Sequence, residues 1–351
     1  MVTVGLDLHK RYITACALDD AGTVLAESRR LEPTMDTLGR WVGALPQPLT
    51  IALEATLYWH WLEQQLTALG HRVVVAHPYQ VKLIWQARTK TDPIDARKLA
   101  ELARVNLLPA IWIPDSATRA LRQLLRGRVF LVRQRTVMRN RFHSWLTAEN
   151  LRCPELDLYT RAGQAWLASV DLPAVVRRQV DLVLENHALL TTQIQALDRH
   201  IKDTVKRDAT AQRLQTIPGI GPFGALLLQA EIGPISRFHS AQELAAYAGL
   251  VPSTRSSGDK TRHGHVGRGN PWLKWLLVEA LQTLKLAPGP VGDHYRKLLR
   301  AKGKPKATVA AARKFCTYLY WMLKEEWSYT EWLRQHDRSE VRPVQSLGSA
   351  A

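Results

Sequence analysis

Two carboxylates stand three residues apart in the stretch Lys90-Thr91-Asp92-Pro93-Ile94-Asp95-Ala96-Arg97-Lys98-Leu99, where a helix is expected to begin. Two further acids lie upstream. Asp7 sits inside the apolar run Val2-Thr3-Val4-Gly5-Leu6-Asp7-Leu8, and Glu54 ends another, Leu49-Thr50-Ile51-Ala52-Leu53-Glu54. Four such acids, two on strands and two on a helix, are the hard oxygen donors that Mg2+ takes. The helical pair also has a plainer reading, because Asp92 is a good N-cap, Pro93 suits the first helical position and an acid at Asp95 suits the helix dipole. Asp7 and Glu54 are harder to explain that way. A carboxylate in an apolar strand costs free energy unless a cation or a donor meets it, and a pair of Mg2+ ions, with Mn2+ as a substitute, would meet both.

The elements that must hold these acids follow from the pattern. Residues 2 to 8, 11 to 18 and 22 to 28 read as three closely linked strands, hence an antiparallel meander. A helix over 34 to 44, a strand over 49 to 54, a helix over 57 to 69, a strand over 72 to 76 and helices over 79 to 86 and from Asp92 to about Val105 come next. This is the order of an α/β ribonuclease-H-like domain, in which the first and fourth strands lie side by side and bring Asp7 to Glu54.

At 351 residues the chain is too long for one ordinary core, so several domains are expected. Its formal net charge of +17 is unevenly spread. Residues 1 to 110 carry 12 Lys+Arg against 11 Asp+Glu, whereas 111 to 351 carry 36 against 20. A neutral catalytic module joined to a polyanion-binding one is the natural reading, and with no lipidation motif or basic membrane anchor the polyanion is nucleic acid. Cys16, Cys153 and Cys316 are odd in number and without ligand spacing, and no apolar run reaches bilayer length. A cytoplasmic, nucleoid-associated protein of a bacterium or archaeon with neither disulfides nor zinc is expected.

Residues 116 to 150 repeat Leu124, Leu131, Met138 and Trp145 every seven positions, with eight arginines from Arg119 to Arg141. Residues 172 to 206 set Val176, Val183, Leu190, Leu197 and Thr204 on one seam and Val180, His187, Ile194 and Ile201 on the other. The heptads predict a coiled coil and self-association into a dimer or tetramer, and the arginines a phosphate-facing surface. Ile217-Pro218-Gly219-Ile220-Gly221-Pro222 reads as a helix-hairpin-helix turn, where backbone N–H groups near Gly219 and Gly221 hold phosphate without reading a base, although an ordinary helix-helix turn has the same look. A basic, glycine-rich loop follows, in which Arg255, Lys260, Arg262 and Arg268 are candidate nucleic-acid contacts. Between 251 and 315 there are 14 Lys+Arg against 3 Asp+Glu.

Taken together, the sequence resembles the DEDD-type insertion-sequence transposases, a family that includes pilin-gene invertases and bridge-RNA-guided recombinases. The resemblance rests on Gly5-x-Asp7-x-x-Lys10, Glu54-Ala55-Thr56, Lys90-Thr91-Asp92-x-x-Asp95-Ala96, Ile217-Pro218-Gly219-Ile220-Gly221 and Ala248-Gly249-Leu250-x-Pro252 leading to Ser257-Gly258, in that order. One departure is Leu57 before Tyr58, where relatives usually carry glycine. The resemblance implies a RuvC-like N-terminal domain (1–110) whose Asp7, Glu54, Asp92 and Asp95 hold Mg2+, and a mainly α C-terminal transposase domain (209–334) whose Ser257 attacks DNA. A helical coiled-coil region (111–208) lies between them, and 335–351 is a disordered tail. Ser256 is an adjacent competitor for the nucleophile. The family further implies donor and target DNA and a structured noncoding guide RNA as partners. Metal activation of the serine is expected, with an active site composed of carboxylates from one protomer and the serine from another. Two other readings fit the residues: a metal-dependent junction-resolving nuclease that uses water, and a non-catalytic architectural protein.

Overall fold

The computed structural model describes residues 1–84, 91–154, 157–257 and 260–339, with side chains omitted at 254–257, 260–263 and 336–339. The chain divides into two compact units, Met1–Pro114 and Asp115–Ala351. The first is a mixed α/β sheet and the second is mostly helical.

In the first unit the chain runs β1 (Val2–Leu8), β2 (Ile13–Leu18), β3 (Val24–Leu31), α1 (Met35–Gly43), β4 (Leu49–Glu54), α2 (Trp59–Ala68), β5 (Arg72–Ala76), α3 (Pro78–Ile84) and α4 (Asp92–Arg104). The five strands lie in the order β3-β2-β1-β4-β5, antiparallel through the first three and parallel from β1 to β4 to β5. Covered on both faces, β1 and β4 are almost wholly apolar, as central parallel strands must be. The meander and the β1–β4 adjacency are those expected from the sequence.

Strand periodicity decides which residues meet α4. On one face Val4, Leu6, Ile51 and Leu53 pack with Leu38 and Val42 of α1 and Leu62 and Leu66 of α2. On the other, Gly5 faces α4 so closely that an added Cβ would collide with the Ala96 carbonyl oxygen. Ala96 and Ala100 pack there with Cys16 and Leu18, while Ala52 joins Leu99 and Leu102. Asp7 is two residues from Gly5 and Glu54 two from Ala52, so both acids share the α4 face. Leu6 and Leu53 are parallel partners, which leaves Asp7 and Glu54 as the next residues of adjacent strands.

The second unit begins with α5 (Ser116–Ala148), α6 (Arg161–Ser169) and α7 (Ala174–Lys206). Arg128 pairs with Asp198 at 2.7 Å and Arg135 donates to Thr191 at 3.4 Å, so α5 and α7 run antiparallel within one chain. Val180, Ile194 and Ile201 of α7 are buried as the heptad predicts, but on α5 the fully buried residues are Leu125, Val129, Phe142 and Leu146, beside the sevenfold series rather than in it. His187 stacks on Tyr159 with ring centroids 3.8 Å apart. Burial, with Arg139 and Arg135 nearby, holds its pKa below the ordinary value.

There follow α8 (Ala209–Gln215), α9 (Pro222–Ile232), α10 (Ala241–Tyr247), β6 (Pro252–Ser257), β7 (Lys260–Val266), α11 (Pro271–Leu284), α12 (Pro290–Lys302), α13 (Lys304–Lys324) and α14 (Tyr329–Ser339). Leu226, Leu228, Leu277, Phe315, Leu319 and Trp332 are among the buried side chains of one large core. The stretch expected as a loop is instead a two-stranded antiparallel hairpin, β6 against β7. Of the tail expected to be disordered, the part up to Ser339 belongs to α14, and the rest lies outside the described residues.

The Gly5 contact yields a test. Gly5→Val should lower unfolding free energy by about 1–3 kcal/mol or more, because backbone rather than a flexible side chain blocks the added atoms. Equilibrium denaturation in urea would measure it.

Candidate functional site

At the end of β1, the Asp7 carboxylate meets an imidazole that the acid motif did not include. His9 Nε2 stands 3.0 Å from Asp7 Oδ2 and 3.3 Å from Asp92 Oδ2. One ligand atom from each of Asp7, His9 and Asp92 lies within 4.8 Å of the others. Two tyrosines hold this group: Tyr12 donates its hydroxyl to Asp92 Oδ2 at 2.8 Å, and Tyr58 donates to the His9 carbonyl at 2.9 Å. The His9 and Tyr12 rings pack with centroids 4.5 Å apart, and the Arg30 guanidinium lies 4.9 Å from the Tyr12 ring centre.

Burial pushes the Asp7 carboxyl above its ordinary pKa, His9 opposes the shift, and the charges of Asp95 and Asp92 add to it. Each neighbouring acid thus adds to the cost that burial already places on ionising Asp7. Asp95 therefore lies within electrostatic reach of Asp7. Glu54 is half-buried at the end of β4, on the neighbouring strand, and is not one of the three closest ligands. Asp92 and Asp95 occupy the first turn of α4, yet no side chain caps that helix. The Asp92 carboxylate meets Tyr12 and His9 instead, which weakens the reading of the pair as a mere helix start. After Glu54 the chain turns through Leu57 at φ +30°, a left-handed conformation strained for a branched residue.

In the second unit Gly219 has φ +86°, and a Cβ there would lie 2.9 Å from the Ala280 carbonyl oxygen, so packing against α11 demands glycine. Gly221 is the N-cap of α9, whose first turn has no capping side chain. A cleft of about 330 Å³ opens beside it, lined by Arg128, Asp198, Lys202, Gly219, Gly221 and Phe223 among others. In the hairpin, Arg255 is the cross-strand partner of Arg262 and Ser257 of Lys260. Arg268 follows β7 and is exposed.

The arginines of α5 are largely not a phosphate-facing row. Arg126 binds Glu231 at 2.8 Å, Arg122 donates to the Ala230 carbonyl at 2.7 Å, Arg128 takes Asp198 and Arg139 takes Asp157 at 2.8 Å. Each acid comes from elsewhere in the same unit, which the local scarcity of acids on α5 did not reveal.

Comparison with known proteins bears on both units. A DEDD-type IS110 transposase profile matches residues 4–150, and a profile described as transposase IS116/IS110/IS902 family matches 211–296. The chain belongs to the DEDD insertion-sequence transposase family. The transposase for insertion sequence element IS1328 of Yersinia enterocolitica is 28% identical over 83% of this chain and 87% of its own. A probable family 20 transposase of Pseudomonas aeruginosa is 27% identical over 93% and 98%. A pilin gene-inverting protein of Moraxella lacunata is 27% identical over 92% and 95%. The protein is thus a DNA transposase/recombinase enzyme, and a domain of the DEDD type implies use of a divalent metal. No helix among the described residues is long and apolar enough to cross a membrane.

Sequence reasoning about this transposase missed His9, Tyr12 and Tyr58. The signal for His9 was present, since it follows Asp7 by two residues and so shares its side of the strand. Tyr58 is marked in the sequence only as the residue after the Leu57 departure and Tyr12 not at all, because their contacts arise only when the β1–β2 connection and the turn after β4 fold over His9.

An acid whose folded pKa is raised keeps its proton longer in the folded state, so the metal-free fold loses stability as pH rises from the ordinary carboxyl value of 3.8 through the raised one. Asp7→Asn should therefore melt above wild type in EDTA at pH 7, with the difference vanishing below that ordinary value. Added Mn2+ or Mg2+ should raise the melting temperature of wild type and not of the variant. Thermal denaturation across pH checks both.

Proposed function

We propose that this transposase cuts and rejoins DNA through a covalent link to Ser257, with Asp7, Glu54, Asp92 and Asp95 holding Mg2+ in a ribonuclease-H-like, RuvC-like domain. The observation that carries the reading is the convergence of Asp7, His9 and Asp92 within 4.8 Å at the end of β1. The donor set fits a hard divalent ion. Two carboxylates lie close together, a third charge is felt from Asp95, and burial with these neighbouring acids holds Asp7 above its ordinary pKa. Divalent ions bound there supply charge stabilisation to the attacking and leaving oxygens of a phosphate displacement.

The remaining roles belong to the chain itself. Ser257 supplies the oxygen that bonds to phosphorus; the phosphorus–oxygen bond to the deoxyribose breaks, and that oxygen leaves as a hydroxyl with the proton the serine gives up. The phosphoserine keeps the bond's energy for rejoining, so strand exchange needs no nucleotide cofactor. The uncapped first turn of α9 at Gly221 and the basic hairpin with Arg255, Lys260, Arg262 and Arg268 hold phosphates, Gly221 with Gly219 acting as a helix-hairpin-helix. The long α5–α7 pair serves as a coiled coil for assembly into a dimer or tetramer. The chain's net charge of +17 suits a guide RNA as well as donor and target DNA.

The test is to incubate the protein with Mg2+, RNA transcribed from the sequence flanking its gene, and end-labelled DNA, then look for a protease-sensitive adduct. Ser257→Ala should abolish the adduct and Ser256→Ala should retain it. Cleaved DNA without any adduct would instead make the protein a water-using, junction-resolving nuclease and remove Ser257 from the chemistry.

A further inference from the structure

Glu231 is wholly buried near the C-terminal end of α9, where the helix dipole disfavours an acid. Its carboxylate is fully engaged. Oε1 accepts from Arg126 Nε at 3.0 Å and Nη2 at 2.8 Å, and Oε2 accepts from Asn270 Nδ2 at 2.8 Å, with Arg122 Nε 3.6 Å away. A buried pair of this kind is weak evidence for stability, since well-packed apolar residues often serve as well. What distinguishes it is what Asn270 holds.

Asn270 is the downstream foot of the β6–β7 hairpin. Its Oδ1 accepts from Trp272 N at 3.0 Å and Leu273 N at 3.1 Å, capping α11, so Nδ2 must turn toward acceptors. It finds Glu231 and, at 3.1 Å, the Tyr247 hydroxyl, whose own proton goes to the Glu231 carbonyl at 3.2 Å. Tyr247 is in turn the upstream foot: its carbonyl accepts from Asn270 N at 2.7 Å. Between the feet, Gly249 and Gly269 approach so closely that a Cβ on Gly269 would collide with Gly249 backbone. Gly267 N then donates to Val251 carbonyl oxygen at 3.0 Å, where the strands begin.

We propose that Glu231 is a positioning residue that clamps both feet of the hairpin carrying Ser257 to helices α5 and α9, fixing where β6 presents that serine. The proposal rests on the reading of Ser257 as nucleophile, so its test includes a readout independent of it. Glu231→Gln keeps the shape but replaces one acceptor with a donor, which must then face Arg126 or Asn270. Asn270→Ser keeps the helix cap and leaves Glu231 with its arginines, removing only the link to the hairpin.

In the full-length protein, hydrogen–deuterium exchange of the β6 and β7 amides should quicken about tenfold in both variants while α13 amides keep their protection. At saturating DNA the rate of adduct formation should fall about tenfold, with DNA affinity within about threefold of wild type. The double variant Glu231→Gln with Asn270→Asp, which exchanges donor for acceptor across the contact, should recover most of both. Unchanged hairpin exchange in Asn270→Ser would overturn the proposal, as would loss of protection spread equally through α13. If wild type forms no adduct, the nucleophile reading fails while the hairpin exchange still judges the clamp.

Discussion

The acid cluster depends on a backbone contact, the packing of α4 on β1 at Gly5. With no side chain there, and with only alanines at 96 and 100 opposite, the helix comes close enough for its first turn to bring Asp92 beside Asp7. Like-charge repulsion opposes that approach, and it is local and screened, whereas the sheet–helix interface beneath it is continuous apolar packing. The interface therefore wins and the charge is left to find partners. It finds His9 between the two carboxylates, and Tyr12 as a donor to Asp92. Tyr58 in turn holds the His9 backbone through its carbonyl, so the turn after β4 is tied to the end of β1.

In the helical unit the main electrostatic business is internal. Guanidinium groups of α5 meet Glu231, Asp198 and Asp157, and these also lie over aromatic faces: Arg126 over Trp272 at 5.5 Å, Arg128 over Phe223 at 4.7 Å and Arg139 over Tyr159 at 4.7 Å. Arginine suits this work because its planar fork binds a carboxylate while its face stacks. The α5 guanidiniums that meet these acids are thereby less available to a polyanion.

How much of this could be read from the residues varies with range. Strands β1 to β5 and helices α1 to α4 were legible within a few residues, because apolar periodicity and short connections determine them locally. The adjacency of β1 and β4 followed from element order, and with it the gathering of Asp7 and Glu54. The hairpin of β6 and β7 was passed over because Ser253 to Ser257 and Lys260 to His265 are polar on both faces and give no alternation, although Gly258-Asp259 between them is a two-residue turn signal. The fate of the α5 arginines was illegible for a different reason. Glu231 lies more than a hundred positions from Arg126, and no local pattern marks a long-range ion pair. His9 falls between these cases, predictable from strand period but not from any motif.

The two glycines of the Pro-Gly-Ile-Gly-Pro turn separate packing from binding. Gly219 is required by the fold alone: its φ of +86° and the approach of Ala280 leave no room for another residue. Its presence would be demanded of an ordinary helix-helix turn and carries no weight for phosphate binding. Gly221 is different. It has no positive φ, and an added Cβ would meet nothing within 4 Å, so neither conformation nor packing requires glycine there. An N-cap position also favours Ser, Thr, Asp or Asn, which would satisfy the first-turn N–H groups of α9 that glycine leaves open. A helix that forgoes its cap leaves those donors without a capping side chain, beside a cleft lined by Lys202 and by Arg128, which is already paired with Asp198. The weight of the nucleic-acid reading in this turn therefore falls on the glycine that the fold does not need.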